Sequence, residues 1–422
     1  MTVVGLDDTD SRERGMCTTY LATLVAEAVA EAGGTVSRRL LVRLNPAVEY
    51  KTRGNAALAL HTDLEPERAF SLARDELERL AVVEDDRTSP GLVVAGGAPG
   101  EVPDRVADFA RRALRDHHEI ADARALLDDV GYLHAGWSGG RGRIGALAAV
   151  GAYRAFDEWT YEHISYREFD RCGTPREVDA ESVFAAADEG YPTVWDTVDR
   201  VEGQAVCVPN APGPILHGVR GDDPDAVRAV AAAIDSEPVE RAATFLTNQG
   251  TDAHLREGSV GDLRDGRAYC VDAAVADDPD TRAGGHVFVT VREDGAALPC
   301  VAFEPTKRFR DRVRALRPGD EVTVCGEVSA GTLKLEKFAV RDLVETERVV
   351  PECPDCGRSM ESAGRGQGYR CRDCGTSEPG KVAVPADRTL EPGWYEVPPC
   401  ARRHVAKPLV RGGFDAPVHP ER

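Results

Sequence analysis

Asp7, Asp8 and Asp10 crowd three negative charges into four residues, directly after the apolar run Val3 to Leu6 in "TVVGLDDTDSRERGMCTTYLA" (2–22). Such crowding costs repulsion unless a cation is bound. Hard carboxylates suit Mg²⁺, which is usually held by one or two of them together with substrate phosphates. Thr18 and Thr19 follow at the expected start of a helix, where free N–H groups and the positive dipole end favour phosphate. Blander roles fit the same residues: aspartates build turns, and a threonine hydroxyl caps a helix.

Two further stretches suit phosphate. "SGGRGRIGA" (138–146) is a glycine-rich turn that offers Gly139, Gly140, Arg141, Gly142 and Arg143 before an apolar, helix-like run. It lacks the GK[ST] ending of a Walker A loop. "YKTRGN" (50–55) adds Lys51 and Arg53. Either could be a plain surface turn, and it is their company with the acidic cluster that marks them.

The most specific spacing lies near the C-terminus. "CPDC" and "CRDC" place Cys353, Cys356, Cys371 and Cys374 as two knuckles, each followed by a glycine. Four thiolates in that pattern close a tetrahedral structural Zn²⁺ site and leave no position for a substrate.

Basic residues stand out against an acidic background. The formal net charge is −20, and Lys51, Lys307, Lys334, Lys337, Lys381 and Lys407 are all the lysines present. Acidic residues are dispersed along the chain, the pattern of a halophilic protein kept soluble in high salt, although an acidic surface selecting a cationic substrate fits the same numbers. Lys307, Arg308, Arg310, Arg312, Arg314 and Arg317 gather around Phe309, and Arg402, Arg403, His404, Lys407 and Arg411 end the chain. Phosphate of a nucleic acid is one partner for such clusters, and a solvated helix face is the other reading.

These residues need elements to position them. Leu21, Leu24, Val25 and Ala28 fall at helical spacing over 17–32, and Gly33 and Gly34 end that helix. Two strands around a polar turn follow (37–62), then helices from Pro66 to Leu80 and over 103–116, with the strand-like "GLVVAGG" (91–97) between them. The alternation predicts an α/β domain. From about 266, "AYCVDAAV", "HVFVTV", "LPCVAF", "DEVTVCGEV" and "LKLEKFAVRDL" read as five strands, with a helix from Lys307 to Leu316 after the third. That is the layout of an OB-fold, a five-stranded barrel that binds oligonucleotides.

A length of 422 residues implies several domains. Without an apolar stretch of spanning length or a signal pattern, the expected setting is the cytoplasm. The cysteines outside the knuckles are scattered, which fits a reducing compartment and not a disulfide framework.

Taken in order, "GLDDTDSRERGMCTTYLA", "RLNPAVEYKTRGNAA", "SGGRGRIGALAAVGA", "TNQGTDAHL" (247–255), the two knuckles and "RRHVAKPL" (402–409) resemble the archaeal tRNA-Ile 2-agmatinylcytidine synthetases over essentially the whole chain. The resemblance implies a multidomain α+β protein with an N-terminal α/β kinase-like domain (1–147), a ferredoxin-like domain (148–264), an OB-fold (265–346) and a C-terminal zinc ribbon with a basic tail (347–422). It implies that ATP and agmatine convert the wobble cytidine of a CAU anticodon to agmatidine, so that tRNA-Ile decodes AUA. It also implies autophosphorylation at the position of Thr18.

The chemistry has a physical logic. The C2 oxygen of cytidine leaves poorly until it is phosphorylated, after which a primary amine can displace it. Cations and a metal must hold that phosphate, and the base must leave its stack to be reached. Asp7, Asp8, Asp10 and Thr18 would carry catalysis; Lys51, Arg53 and the 139–143 turn would hold ATP. Asp196 and Asp199 in "YPTVWDTVD", or Asp252, are candidate partners for agmatine's guanidinium, and each could equally be a turn or cap residue. Lys307, Arg308, Arg310, Arg314, Arg402, Arg403 and Lys407 are the candidate tRNA contacts.

Overall fold

The computed structural model describes residues 1–422 except Arg12, Arg14, Tyr50, Thr52 and Arg53. The first half contains β1 (Thr2–Asp7), α1 (Thr18–Glu31), β2 (Val36–Arg43), β3 (Ala56–Thr62), α2 (Pro66–Leu80), β4 (Gly91–Gly96), α3 (Asp104–Arg115), α4 (Ile120–Val130), β5 (Leu133–Gly136) and α5 (Arg143–Ala155). The second adds β6 (Thr160–Arg167), α6 (Ala180–Gly190), β7 (Val194–Trp195), β8 (Val198–Asp199), β9 (Gln204–Ala205), β10 (Ile215–Gly221), α7 (Pro224–Ala232) and β11 (Val239–Thr247).

One nine-stranded sheet runs through both halves in the order β5-β4-β1-β3-β2-β11-β6-β10-β7. The expected α/β domain needs correction here. Its strand pairs are antiparallel, and the parallel pair, Leu246 beside Leu40 and Thr247 beside Leu41, is the seam between the halves. Alternation of helix and strand misled because both faces are covered, so the strands read as continuous apolar runs whatever their direction. Val3, Val93 and Ala95 face α3 and α5, whereas Val4, Leu6 and Val94 face α1 and α2. A boundary at 147 falls within α5, which packs on β1, β3 and β4.

Beyond the sheet come β12 (Leu255–Glu257), β13 (Arg267–Val275), β14 (Asp280–Thr281), β15 (Val287–Glu293), β16 (Ala296–Ala302), α8 (Phe309–Arg314), β17 (Glu321–Ser329) and β18 (Thr332–Asp342). β13 pairs with β15 and β17, β15 with β16, β16 with β18, and β18 with β17, which closes a five-stranded barrel around Val289, Val324 and Phe338. All five expected strands are present. The helix after the third is shorter than expected: only Phe309–Arg314 is α-helical, anchored by buried Phe309 and Val313. The cysteine expectation also changes, because Cys270 and Cys325 face each other across β13 and β17 and are joined by a disulfide.

The chain then leaves through β19 (Thr346–Val349), forms a small sheet of β20 (Glu361–Ser362), β21 (Tyr369–Arg370) and β22 (Ser377–Glu378), and returns through β23 (Val382–Pro385), which pairs with β19. β24 (Gly393–Glu396) adds to the barrel beside β18, and β25 (Val418–His419) follows. No helix of the described residues is long and apolar enough to cross a membrane.

Candidate active site

A cavity of about 470 Å³ opens where β1 ends, and Asp7, Asp8, Asp10, Thr18, Lys51 and Arg141 all line it. Asp8 takes a left-handed backbone, φ +58°, and its Oδ2 accepts the Ser89 N–H at 2.9 Å. Asp10 is buried, and its carbonyl accepts the Thr88 hydroxyl at 2.6 Å. Burial first, then Asp8 and Asp10, pushes the Asp7 carboxyl well up. Burial also raises Asp8 to about 7 against the opposing Ser89 bond. The corner therefore gains from a cation.

Thr18 is the first residue of α1, and its hydroxyl accepts from Thr9 Oγ1 at 3.1 Å. Cys17 occupies the N-cap without a side-chain cap bond, so capping is not what Thr18 does. Ser89 ties the acidic corner to the glycine-rich turn: its Oγ accepts the Arg141 N–H at 3.0 Å and its carbonyl the Gly142 N–H at 2.8 Å. Arg143 turns back and donates to the Gly140 carbonyl at 3.0 Å and the Gly139 carbonyl at 3.3 Å, bracing the turn. Lys51 donates to the Pro46 carbonyl. Arg53 lies outside the described residues.

Most of the rest of the wall comes from residues that sequence reasoning passed over, and Arg402 and His404, expected in a basic tail, join it instead. Arg43, at the end of β2, donates through Nε and Nη2 to Gln249 Oε1 at 3.1 and 3.0 Å, and Gln249 Nε2 donates to Glu162 Oε2 at 2.5 Å. Arg220 Nε reaches the other Glu162 oxygen at 3.4 Å. Residues 206–211 line the cavity beside them, as do Pro399, Cys400, Arg402 and His404 from the C-terminal segment. Gln249 and His404 sit inside the motifs "TNQGTDAHL" and "RRHVAKPL", and a buried polar loop such as "TNQGTDAH" was the available signal.

The candidate agmatine partners are engaged in ion pairs: Asp196 with Arg402, Asp199 with Arg308 at 3.0 Å, and Asp252 with Lys337 at 2.6 Å. The cavity wall drawn by the described residues includes none of the three. Several basic candidates are paired as well. Arg402, its side chain 2% exposed, bridges Asp196 and Glu396; Arg403 reaches Glu327 and Glu336; Lys407 reaches Glu158. Lys307 lies 3.7 Å from Glu202, Arg308 also reaches Glu421, Arg310 donates to the Gly285 carbonyl, and Arg314 pairs with Asp311.

Away from the cavity, the sulfurs of Cys353, Cys356, Cys371 and Cys374 all lie within 4.8 Å of one another. The Cys356 and Cys371 sulfurs are 3.7 Å apart, against an edge of about 3.8 Å for a tetrahedron of Zn–S bonds. The donor set fits zinc. Among the described residues no other His, Cys, Asp or Glu group of three is gathered so closely, the acidic corner included.

Family models match in three places: the TiaS TCKD domain over residues 3–64, the TiaS FLD domain over 140–254 and the TiaS C-terminal zinc ribbon domain over 350–390. The TiaS of Haloquadratum walsbyi, a tRNA-Ile 2-agmatinylcytidine synthetase, is 59% identical, with 100% of each chain covered. The chain belongs to this synthetase family. The TiaS of Methanosarcina mazei is 47% identical over 97% of both chains. Among solved family structures, the crystal structure of TiaS in complex with its isoleucine tRNA and ATP has a TM-score of 0.91 at 40% identity, covering 100% of this chain and 99% of that one. The TiaS complex with isoleucine tRNA, AMPCPP and agmatine has a TM-score of 0.88 at 37% identity, with the same coverage.

Proposed function

We propose that this chain is an ATP-dependent synthetase that places agmatine on C2 of the wobble cytidine of tRNA-Ile with a CAU anticodon, in the cytoplasm. The observation that carries the reading is that one cavity gathers the acidic corner, Thr18 and the Arg141 turn with walls from the second half and the C-terminal segment. In this reading residues 1–147 act as the kinase-like part, 148–264 as the ferredoxin-like part, and the barrel and ribbon meet the tRNA.

Asp7, Asp8 and Asp10 would hold Mg²⁺, which supplies charge neutralisation at transferred phosphate when bound. Lys51, Arg53 and Arg141 orient the nucleotide, and the N–H groups of Gly139, Gly140 and Gly142 shape the turn around it. Thr18 receives or positions the phosphoryl group at the start of α1, where the dipole favours it. Seating the activated cytidine in this cavity would limit its contact with water and favour the amine over hydroxide as the nucleophile that displaces the phosphorylated oxygen. For Asp196, Asp199 or Asp252 to take agmatine's guanidinium, each would first have to release its arginine or lysine. Zinc in the Cys353–Cys374 cluster holds the ribbon's fold.

The test is to incubate the protein with a CAU-anticodon tRNA-Ile transcript, ATP and agmatine, and to analyse the nucleosides by mass spectrometry. Agmatidine at the wobble position is expected. ATP turnover without modified tRNA would replace this reading with a small-molecule kinase.

A further inference from the structure

Arg220 is a charge that the chemistry above leaves without work. It lines the cavity from β10 with its side chain 11% exposed, and its Nε is 3.4 Å from Glu162 Oε1. Among the described residues its two Nη groups have no hydrogen-bond acceptor. Arg43 flanks the other Glu162 oxygen, with Nη2 4.0 Å from Oε2. Two buried guanidiniums thus share one carboxylate, and a surplus positive charge faces the cavity. Burial lowers Arg43 to about 10, Glu162 opposing it only in part.

His404 completes the cluster. Its imidazole borders Gly54 together with Arg43 Nη1, and it opens onto the cavity. The residue is exposed, so it is the Arg43 and Arg220 charges beside the ring that hold its ionisation below the ordinary histidine range, leaving a neutral imidazole with one N–H to donate. The neighbouring Arg402 adds little, because Asp196 and Glu396 already pair it.

We propose that Arg43, Arg220 and His404 form a phosphate subsite on the wall built by β2, β10 and the C-terminal segment. Planar guanidiniums on a largely shielded wall suit phosphate oxygens bidentately, and a neutral imidazole at its edge supplies a further donor. The proposal rests on the functional reading above, which offers two sources for the anion. One is the phosphoryl group on the activated cytidine. The other is the backbone phosphate of the wobble nucleotide, whose capture would hold the extruded base in register.

The direct test titrates full-length protein with inorganic phosphate in KCl while following the His404 imidazole by NMR, with His404→Gln to assign the signal. Phosphate offsets the two guanidiniums, so it should raise the ionisation of His404 in the wild type. In Arg220→Gln the response should need at least tenfold more phosphate, and Arg220→Lys, which keeps the charge, should recover part of it. A wild-type His404 signal indifferent to phosphate overturns the subsite.

Two arms then separate the sources. If the backbone phosphate is bound, a methylphosphonate at the wobble nucleotide should weaken wild-type tRNA binding at least tenfold and have no further effect in Arg220→Gln. If the transferred group is bound, that substitution in the RNA should leave affinity unchanged, while Arg220→Gln lowers agmatidine yield at least 100-fold. Arg220→Gln equal to wild type in both affinity and yield again overturns the proposal. A wild type that responds to phosphate but makes no agmatidine would sink the functional reading and leave the subsite standing.

Discussion

The Asp7 carboxylate lies directly over the α-carbon of Gly145, where any side-chain carbon would overlap Oδ2. Gly145 is in α5, so alanine there would gain about 1 kcal/mol of helix propensity. Gly145→Ala is therefore expected to melt close to the wild type while pushing Asp7 out of the cavity corner. Agmatidine formation should fall by at least 100-fold, and an active Gly145→Ala enzyme would mean that the position of Asp7 is immaterial.

Asp8→Asn and Thr18→Ala separate metal holding from phosphate handling. Asp8→Asn keeps size and the Ser89 bond but removes the charge, so ATP-dependent chemistry should vanish with tRNA binding retained. Thr18→Ala loses only the Thr9 hydroxyl bond, about 1 kcal/mol of stability. Its agmatidine yield should nonetheless drop by orders of magnitude. Near-normal yield from folded Thr18→Ala would confine the site to the acidic corner.

Zinc removal should be local. Substituting Cys353 or Cys374 by Ser is expected to release the metal and loosen residues 350–390, weakening tRNA binding more than ATP turnover. Both ends of the ribbon meet at the β19–β23 pair, which insulates the barrel. Freshly purified, unoxidised protein free of zinc by elemental analysis would rule the site out.

The basic residues divide into two kinds. Arg402→Ala leaves Asp196 and Glu396 buried and unpaired and should cost about 3–5 kcal/mol, read as a lower denaturation midpoint. Replacing Arg310 and Arg314 by Ala should instead leave stability nearly intact, lower tRNA affinity and flatten its salt dependence. Unchanged affinity across the salt titration would make α8 a solvated face.

Acid should act through Glu336. Burial pushes its carboxyl up, but His254 at 2.9 Å, with Arg403 and Lys337, outweighs burial and holds it at about 2. The folded value lies below the unfolded one, so its stabilising contribution is complete above about pH 4.5 and fades as pH falls toward 2. Glu336→Gln should cost ~2–3 kcal/mol at neutral pH, and the gap between wild type and variant should close over that window. A gap independent of pH would show that charge is not what Glu336 contributes.

Local signals carried far into this structure. The helix Pro66–Leu80, the five barrel strands and the cysteine quartet follow from spacing alone, because each depends on neighbours in sequence. The cavity is different. Asp7 and Arg141 meet because Ser89 bonds to both stretches, and Arg43 meets Glu162 because Gln249 lies between them. No periodicity encodes such meetings. Arg402 looked like a nucleic-acid contact from its charge, and only the fold reveals the two carboxylates that claim it.

The cavity is walled at one end by residue 7 and at another by residues 399–404. A ribosome making this chain therefore exposes the acidic corner first, but the cavity around it lacks a side until Pro399 to His404 have been translated. Termination upstream of Pro399 should yield fragments that cannot leave half-modified anticodons behind, so translation through this segment acts as a checkpoint on decoding.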